Sequence, residues 1–166
     1  MKNKAFGIGL AKTGTTTLTA IFQSAGYKAI HYISETQYKN LHLYDFASDV
    51  PVCVRYKDLY NRFPEAAFIY VERDLEQWLD SCRRHWIRYP IVRHMDYRRE
   101  AYGSVYYSKK RFREVYLRHR DDINEFFKDK KLTTINICQK IGMEKLWDII
   151  GTKVDIPKLN IGTQGN

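Results

Sequence analysis

Two glycines, one lysine and four threonines lie close together near the start of the sequence, between Gly9 and Thr17. A glycine-rich turn from a buried strand into a helix points free backbone N–H groups and the positive end of the helix dipole at one place, which binds anions such as phosphate. Lys12 adds a cation inside this turn. Four hydroxyl donors accompany it: Thr13, Thr15, Thr16 and Thr17.

The spacing of Gly9 and Gly14 is that of a nucleoside triphosphate-binding loop, but Thr15 stands where that loop carries its lysine. The turn therefore predicts a phosphate-like ligand held in a different way. The alternative is an ordinary strand-to-helix turn capped by threonine.

A second candidate for anion binding is the pair Arg73 and Ser81, in the segment FIYVERDLEQWLDS. Arg73 follows an apolar run that predicts a buried strand, and open α/β sheets bind ligands beyond the carboxyl ends of their strands. A guanidinium there can hold a phosphate through two hydrogen bonds. Ser81 lies two turns into the predicted next helix. The alternatives are a salt bridge from Arg73 to Glu72 or Glu76 and a solvent-facing serine.

Two residues of types that can act as general bases are His31 and Asp49. His31 ends a predicted strand, and Asp49 lies in the segment SDVPV. These two residues are the candidates, with a core or substrate-orienting role as the equal alternative for His31.

The elements that must position these residues alternate along the chain. Apolar runs and breaker residues predict strands at 4–10, 27–33, 66–71 and 132–137, and helices at 15–25, 56–63, 75–88, 108–128 and 142–150, with 34–50 ambiguous. This order predicts a P-loop-type α/β fold, a parallel sheet flanked by helices on both faces. We expect a single domain over 1–166, with a basic, mostly helical segment at 83–128 and a polar tail at 152–166.

The net charge of +9 is concentrated between Arg83 and Arg120, where twelve Lys and Arg face three Asp and Glu. Such a block indicates an anionic ligand, a nucleic acid or a membrane surface, or alternatively a solvated helix face. Three widely separated cysteines argue against a disulfide framework, and no zinc-binding spacing occurs. No segment is apolar enough for a signal peptide or a membrane span, so we expect a cytoplasmic protein.

The segment GLAKTGTTTL resembles the 5′-phosphosulfate loop of sulfotransferases, with Ala11 in place of the usual proline. The spacing of Arg73 and Ser81 resembles the second motif of that family, which holds the 3′-phosphate of the donor. Further segments resemble the small bacterial-type branch, so the resemblance covers most of the chain. Residues 155–166 contain no Arg-Lys-Gly segment of the kind with which many members close over the 3′-phosphate.

This resemblance implies a donor, 3′-phosphoadenosine 5′-phosphosulfate, and a product, 3′-phosphoadenosine 5′-phosphate, with no metal. Lys12, Thr13, Gly14, Thr15, Thr16 and Thr17 would hold the 5′ side, with Arg73 and Ser81 on the 3′-phosphate, and Lys12, His31 and Asp49 would be catalytic. The acceptor, a hydroxyl or amine compound, and the oligomeric state stay open. Two other classes are a P-loop kinase, with Glu72 ending a Walker B-like strand, and a nucleic-acid-binding module, for which no recognition motif occurs.

Overall fold

Five parallel strands form the centre of the protein in the computed structural model, which describes residues 3–91 and 94–157. Their order in the sheet is β2-β3-β1-β4-β5. The strands are β1 Ala5–Gly7, β2 Ala29–His31, β3 Phe46–Ser48, β4 Ala67–Val71 and β5 Thr133–Ile135. All neighbouring strands are parallel, so their carboxyl ends lie at one edge of the sheet.

Helices connect these strands and cover both faces of the sheet. The helices are α1 Thr15–Ser24, α2 Glu35–Lys39, α3 Tyr56–Arg62, α4 Leu75–Arg88, α5 Met95–Tyr102, α6 Lys109–Phe127 and α7 Met143–Ile150, with a short 3-10 turn at Leu41–Leu43. Asp74 caps α4 and Ser108 caps α6 through their side chains, as their residue types favour.

Alternate residues of each strand point into two different cores, because side chains in a strand alternate between its faces. Ala5 and Phe46 pack with α1 and α7 on one face of the sheet. Phe6 and Ala47 pack with α3 and the end of α6 on the other face. A third core joins α4, α5 and the start of α6. The prediction of a single-domain parallel α/β fold with helices on both faces is confirmed.

Strand β1 lies between β3 and β4, so the chain leaves the centre of the sheet in one direction after β1 and in the other after β4. A crevice opens beyond the carboxyl ends of the strands where their order reverses in this way, and it is the usual ligand site of open α/β sheets. The loop after β1 carries Lys12 and Gly14, and the loop after β4 carries Arg73.

The ambiguous segment 34–50 contains α2, the 3-10 turn and β3. Ser34 and Gln37 form a capping box at the start of α2, with each side chain bonded to the other residue's backbone N–H. The basic segment 83–128 is mostly helical and includes α5, which was not separately predicted. Of the predicted polar tail, 152–157 contains no helix or strand, and 158–166 lies outside the described residues.

Candidate active site

The loop after β1 presents an uncapped helix terminus. Helix α1 begins at Thr15, with Gly14 at its N-cap in a left-handed conformation of φ 121°. Within the described residues, no side chain caps the helix and its first turn has no acidic residue. The free N–H groups and the helix dipole of this end therefore favour an anion. Lys12 also has a positive φ of 72°, which turns the chain sharply between the two glycines.

Close packing holds this loop against β4 and α4. A Cβ atom at Gly9 would collide with the backbone carbonyl of Val71, so only glycine allows β4 to lie this near. The indole Nε1 of Trp78 donates a 2.8 Å hydrogen bond to the carbonyl of Ala11. The hydroxyl of Thr13 is buried and donates to the carbonyl of Leu10 at 2.8 Å. The loop is thus fixed before any ligand binds.

Behind the loop, the imidazole of His119 on α6 is buried, and its Nε2 lies 2.9 Å from the carbonyl of Ile8. Because a carbonyl only accepts hydrogen bonds, Nε2 carries the proton and donates it. Burial lowers the pKa of His119 to about 4, so the ring is neutral at pH 7. This histidine supports the start of the loop.

Arg73 follows β4 and reaches the same loop. Its Nη1 donates a 3.0 Å hydrogen bond to the carbonyl of Lys12, and its buried Nε has no partner among the described residues. The alternative salt bridge to Glu76 is not formed, because Glu76 pairs with Lys109 and Arg113. A buried donor without a partner in this crevice is available to bind a ligand atom.

His31 and Asp49 are in direct contact, and the loop threonines join them. The His31 Nε2 lies 2.9 Å from the Asp49 carboxylate, 3.1 Å from the Thr15 hydroxyl and 3.4 Å from the Thr16 hydroxyl. The Thr15 hydroxyl also donates to Asp49 at 3.3 Å, and the backbone N–H of Val50 donates to it at 2.7 Å. The two candidate residues are therefore in contact with each other and with the first turn of α1.

Asp49 is ionised at neutral pH. Its burial would raise its pKa, but the hydrogen bond and charge of His31, the Val50 N–H and the Thr15 hydroxyl together lower the pKa below the usual value. An ionised carboxylate only accepts hydrogen bonds, so His31 Nε2 carries a proton towards it. The other ring nitrogen, Nδ1, is then the one that can accept a proton in the neutral ring.

These residues surround one cavity of about 390 Å³. It is lined by Ala11, Lys12, Gly14, Thr15, Thr16, Thr17, His31, Tyr32, Asp49, Val50, Arg73, Ser81, His85, Trp86, Arg98, Tyr102 and Cys138. Every predicted site residue lines the cavity except Thr13, whose side chain lies beneath the loop. The structure thus brings the loop, the arginine–serine pair and the histidine–aspartate pair to one place.

Several lining residues were not predicted. His85 lies one helical turn beyond Ser81 on α4, a spacing that could have indicated it. Burial, followed by the charges of Lys12 and Arg98, lowers the pKa of His85 to about 4. The hydroxyl of Tyr102 accepts a 3.2 Å hydrogen bond from the N–H of Ala11, which ties α5 to the loop. Arg98 and Tyr102, both on α5, line the cavity.

The charges of this cavity favour anions. Among its lining residues, three cations, Lys12, Arg73 and Arg98, face one carboxylate, Asp49, which is already paired with His31. Residues 3–91 and 94–157 contain no cluster of His, Cys, Asp and Glu with the arrangement of a metal site. Over the same residues, no helix is long and apolar enough to cross a membrane.

A parallel sheet with an uncapped, cation-bearing turn after its central strand defines a P-loop-type α/β protein. A family model described as a sulfotransferase domain matches residues 35–162, more than half of the chain, and the chain belongs to this family. The matched range includes Asp49, Arg73 and Ser81 and begins after His31 and the loop. No curated protein sequence gives a significant match.

Proposed function

We propose that the protein transfers the sulfuryl group of 3′-phosphoadenosine 5′-phosphosulfate to a hydroxyl or amine of an acceptor. The observation that carries this proposal is the bond between Arg73 Nη1 and the carbonyl of Lys12. Two anion-binding features, the uncapped start of α1 and a guanidinium with a free buried Nε, thereby meet in one cavity. A nucleotide with phosphates at two positions suits such a pair of features.

In this proposal the two phosphates of the nucleotide bind on opposite sides of the bond between Arg73 and Lys12. The N–H groups of residues 14–17 and the hydroxyls of Thr16 and Thr17 hold the 5′-phosphate, as helix N-termini hold phosphates generally. Arg73 donates its free Nε–H to the 3′-phosphate, and the Ser81 hydroxyl on α4 adds a neutral donor.

The reaction is an in-line transfer. The bond between sulfur and the bridging oxygen of the donor breaks, and the acceptor oxygen or nitrogen forms the new bond to sulfur. The electron pair of the broken bond stays on the 5′-phosphate, where Lys12 offsets the developing charge. His31 takes the proton of the acceptor at Nδ1, and Asp49 holds the ring through Nε2. Lys12 and Arg73 supply the positive charge, so the proposal includes no metal.

Thermal unfolding with added nucleotides tests the proposed donor. We expect 3′-phosphoadenosine 5′-phosphate to raise the melting temperature without magnesium, because a ligand that binds only the native state stabilises it by mass action. Adenosine 5′-phosphate should do so less at equal concentration. Stabilisation by ATP with magnesium, and none by the bisphosphate, would instead support a kinase-type site.

A further inference from the structure

The cavity contains a buried cation that the proposed donor does not use. The side chain of Arg98 is 4% exposed, and its guanidinium donates to the carbonyls of Tyr89 at 2.8 Å, Pro90 at 3.2 Å and Val105 at 3.5 Å. These bonds fix its position but bring no negative charge. Among the described residues, no carboxylate forms a salt bridge with Arg98. A buried cation without an acidic partner is costly, and an anionic ligand offsets that cost.

Next to Arg98 is a buried hydrogen-bond donor without a partner. The guanidinium lies 4.5 Å from the ring centre of Trp86, whose side chain is 5% exposed. The indole Nε1 of Trp86 has no hydrogen-bond partner among the described residues. Leaving such a donor unpaired is unfavourable, so an oxygen atom that reaches it gains that hydrogen bond without displacing another.

Both residues line the cavity in which the proposed donor would bind. Trp86 is five residues beyond Ser81 on α4, roughly 7.5 Å along the helix axis. Lys12, His85 and Arg98 all line this cavity. Arg98 therefore lines the same cavity in which Lys12 would meet the transferred group.

We propose that Arg98 and Trp86 form an anion subsite for the acceptor, which is a small hydroxyl compound carrying a carboxylate. The role of this ligand as the acceptor rests on the proposed sulfuryl transfer. Its negative charge is inferred from Arg98 and Trp86. A hydroxyl fits better than an amine, because Lys12, Arg73 and Arg98 repel an ammonium group. The carboxylate binds between the guanidinium and the indole N–H, while the hydroxyl faces His31.

Three planar phenols of nearly the same shape test this charge preference. Calorimetric titration of the full chain, saturated with 3′-phosphoadenosine 5′-phosphate, compares 4-hydroxybenzoate, 4-hydroxybenzamide and 4-hydroxybenzamidine, which carry a negative, zero and positive charge. We expect the benzoate to bind about tenfold more tightly than the benzamide, as a charge-assisted contact should, and the benzamidine to bind most weakly.

Two variants locate the effect. Trp86→Phe keeps an aromatic ring over Arg98 but removes the N–H. We expect this change to weaken the binding of 4-hydroxybenzoate about fivefold. Arg98→Met should abolish the preference for the benzoate, whereas Arg99→Met, an exposed neighbour paired with Asp96, should leave it unchanged. In ¹⁵N spectra of the wild type, the indole signal of Trp86 should move on adding the benzoate, and that of Trp78, bonded to Ala11, should stay.

Equal binding of the three phenols, or no binding of the benzoate up to its solubility, would overturn the subsite. An indole signal of Trp86 that does not move would also overturn the subsite. This measurement uses the wild type, so it does not depend on whether a variant folds. If Arg98→Met weakened binding of 3′-phosphoadenosine 5′-phosphosulfate, Arg98 would bind the donor and not the acceptor, which would also refute the proposal. Failure of the proposed function has a different sign, because the wild type would then not bind 3′-phosphoadenosine 5′-phosphate. In that case the affinities of the three phenols are measured on the protein without nucleotide.

Discussion

Arg73 and Lys12 are joined by a hydrogen bond of 3.0 Å from the guanidinium Nη1 to the backbone carbonyl. They lie 61 residues apart in the sequence and belong to the loops after β4 and β1. Because the two strands are neighbours, with Phe6 opposite Phe68, both loops leave the same edge of the sheet. The proposed 3′-phosphate and 5′-phosphate sites are therefore parts of one connected structure.

The first prediction concerns Arg73. Arg73→Ala should weaken binding of 3′-phosphoadenosine 5′-phosphate by about 2–4 kcal/mol, as expected for the loss of a charge-assisted contact with phosphate. Binding of adenosine 5′-phosphosulfate, which lacks the 3′-phosphate, should weaken by less than about 1 kcal/mol, because only the hydrogen bond between Arg73 and the loop is lost. Ser81→Ala should cost roughly 1 kcal/mol for the bisphosphate, because only a neutral donor is removed.

Calorimetric titration of both nucleotides measures these differences. The matched control is Arg83→Ala, which removes an exposed arginine of α4 that pairs only with Asp80 among the described residues. Equal losses for the two nucleotides in Arg73→Ala would show that Arg73 does not bind the 3′-phosphate.

The second prediction concerns the charge of Lys12. Lys12→Met keeps most of the side-chain length and should lower turnover at least about a hundredfold, because the ammonium acts mainly on the charge that develops in the transition state. Affinity for the bisphosphate should change much less. Single-turnover release of the bisphosphate from the donor follows the chemical step.

A suitable control is Lys140→Met, since Lys140 also has a positive φ, of 56°, and lies on the surface outside the cavity. Equal losses in turnover and in affinity for Lys12→Met would assign Lys12 to binding alone.

The third prediction concerns the contact between α1 and the proposed base. Thr15→Val removes the hydroxyl that lies 3.1 Å from His31 and donates to Asp49, and turnover should fall about three- to tenfold, the effect of roughly one hydrogen bond. Thr15→Ser restores the hydroxyl and should restore the rate. If the serine variant is as slow as the valine variant, the methyl packing of Thr15 matters and its hydroxyl does not.

The fourth prediction concerns stability and pH. Burial lowers the pKa of His119 to about 4 in the folded protein, while the unfolded chain keeps the ordinary value of about 6.5. Between these values the unfolded chain takes up a proton that the folded protein does not. The free energy of unfolding should therefore fall as the pH drops from about 6.5 to about 4, by about 3 kcal/mol from this residue.

Urea unfolding of the wild type and His119→Gln at several pH values between 7.5 and 4.5 measures the difference. The glutamine amide can still donate to the carbonyl of Ile8, so the variant should fold and lose part of the pH dependence. His85 contributes in the same direction, because its pKa is also lowered to about 4. An unchanged pH dependence in His119→Gln would contradict the assignment of a neutral, buried imidazole.

Much of this site could be predicted from local sequence. The positions of Gly9, Lys12 and Gly14 are typical of an anion-binding turn, and Arg73 directly follows the apolar run of β4, so both could be placed at strand ends. Gly26 directly follows the helix predicted at 15–25, and its φ of 77° shows the left-handed conformation that glycine favours after a helix.

The rest depends on packing that local sequence does not show. Strand β3 is only three residues long, and its pairing with both β1 and β2, rather than its own pattern, defines it. Arg98 lies among many arginines of a basic segment, and only the packing of α5 against the end of α4 buries it beside Trp86. Sequence reasoning therefore found the loop after β1 and Arg73 but did not find Arg98 and Trp86.

The central position of β1 also constrains how the protein folds. Its partners are distant in sequence, with Ala5 opposite Phe46 on one side and Ala67 on the other, and no hairpin joins neighbouring strands of the sheet. Long chain segments must close before β1 is paired, which makes folding slow compared with that of a helical bundle. The loop after β1 acquires its shape only when β4 and Arg73 are in place. During refolding, the capacity to bind a nucleotide should thus return with the last step of sheet assembly and not with the early formation of helices.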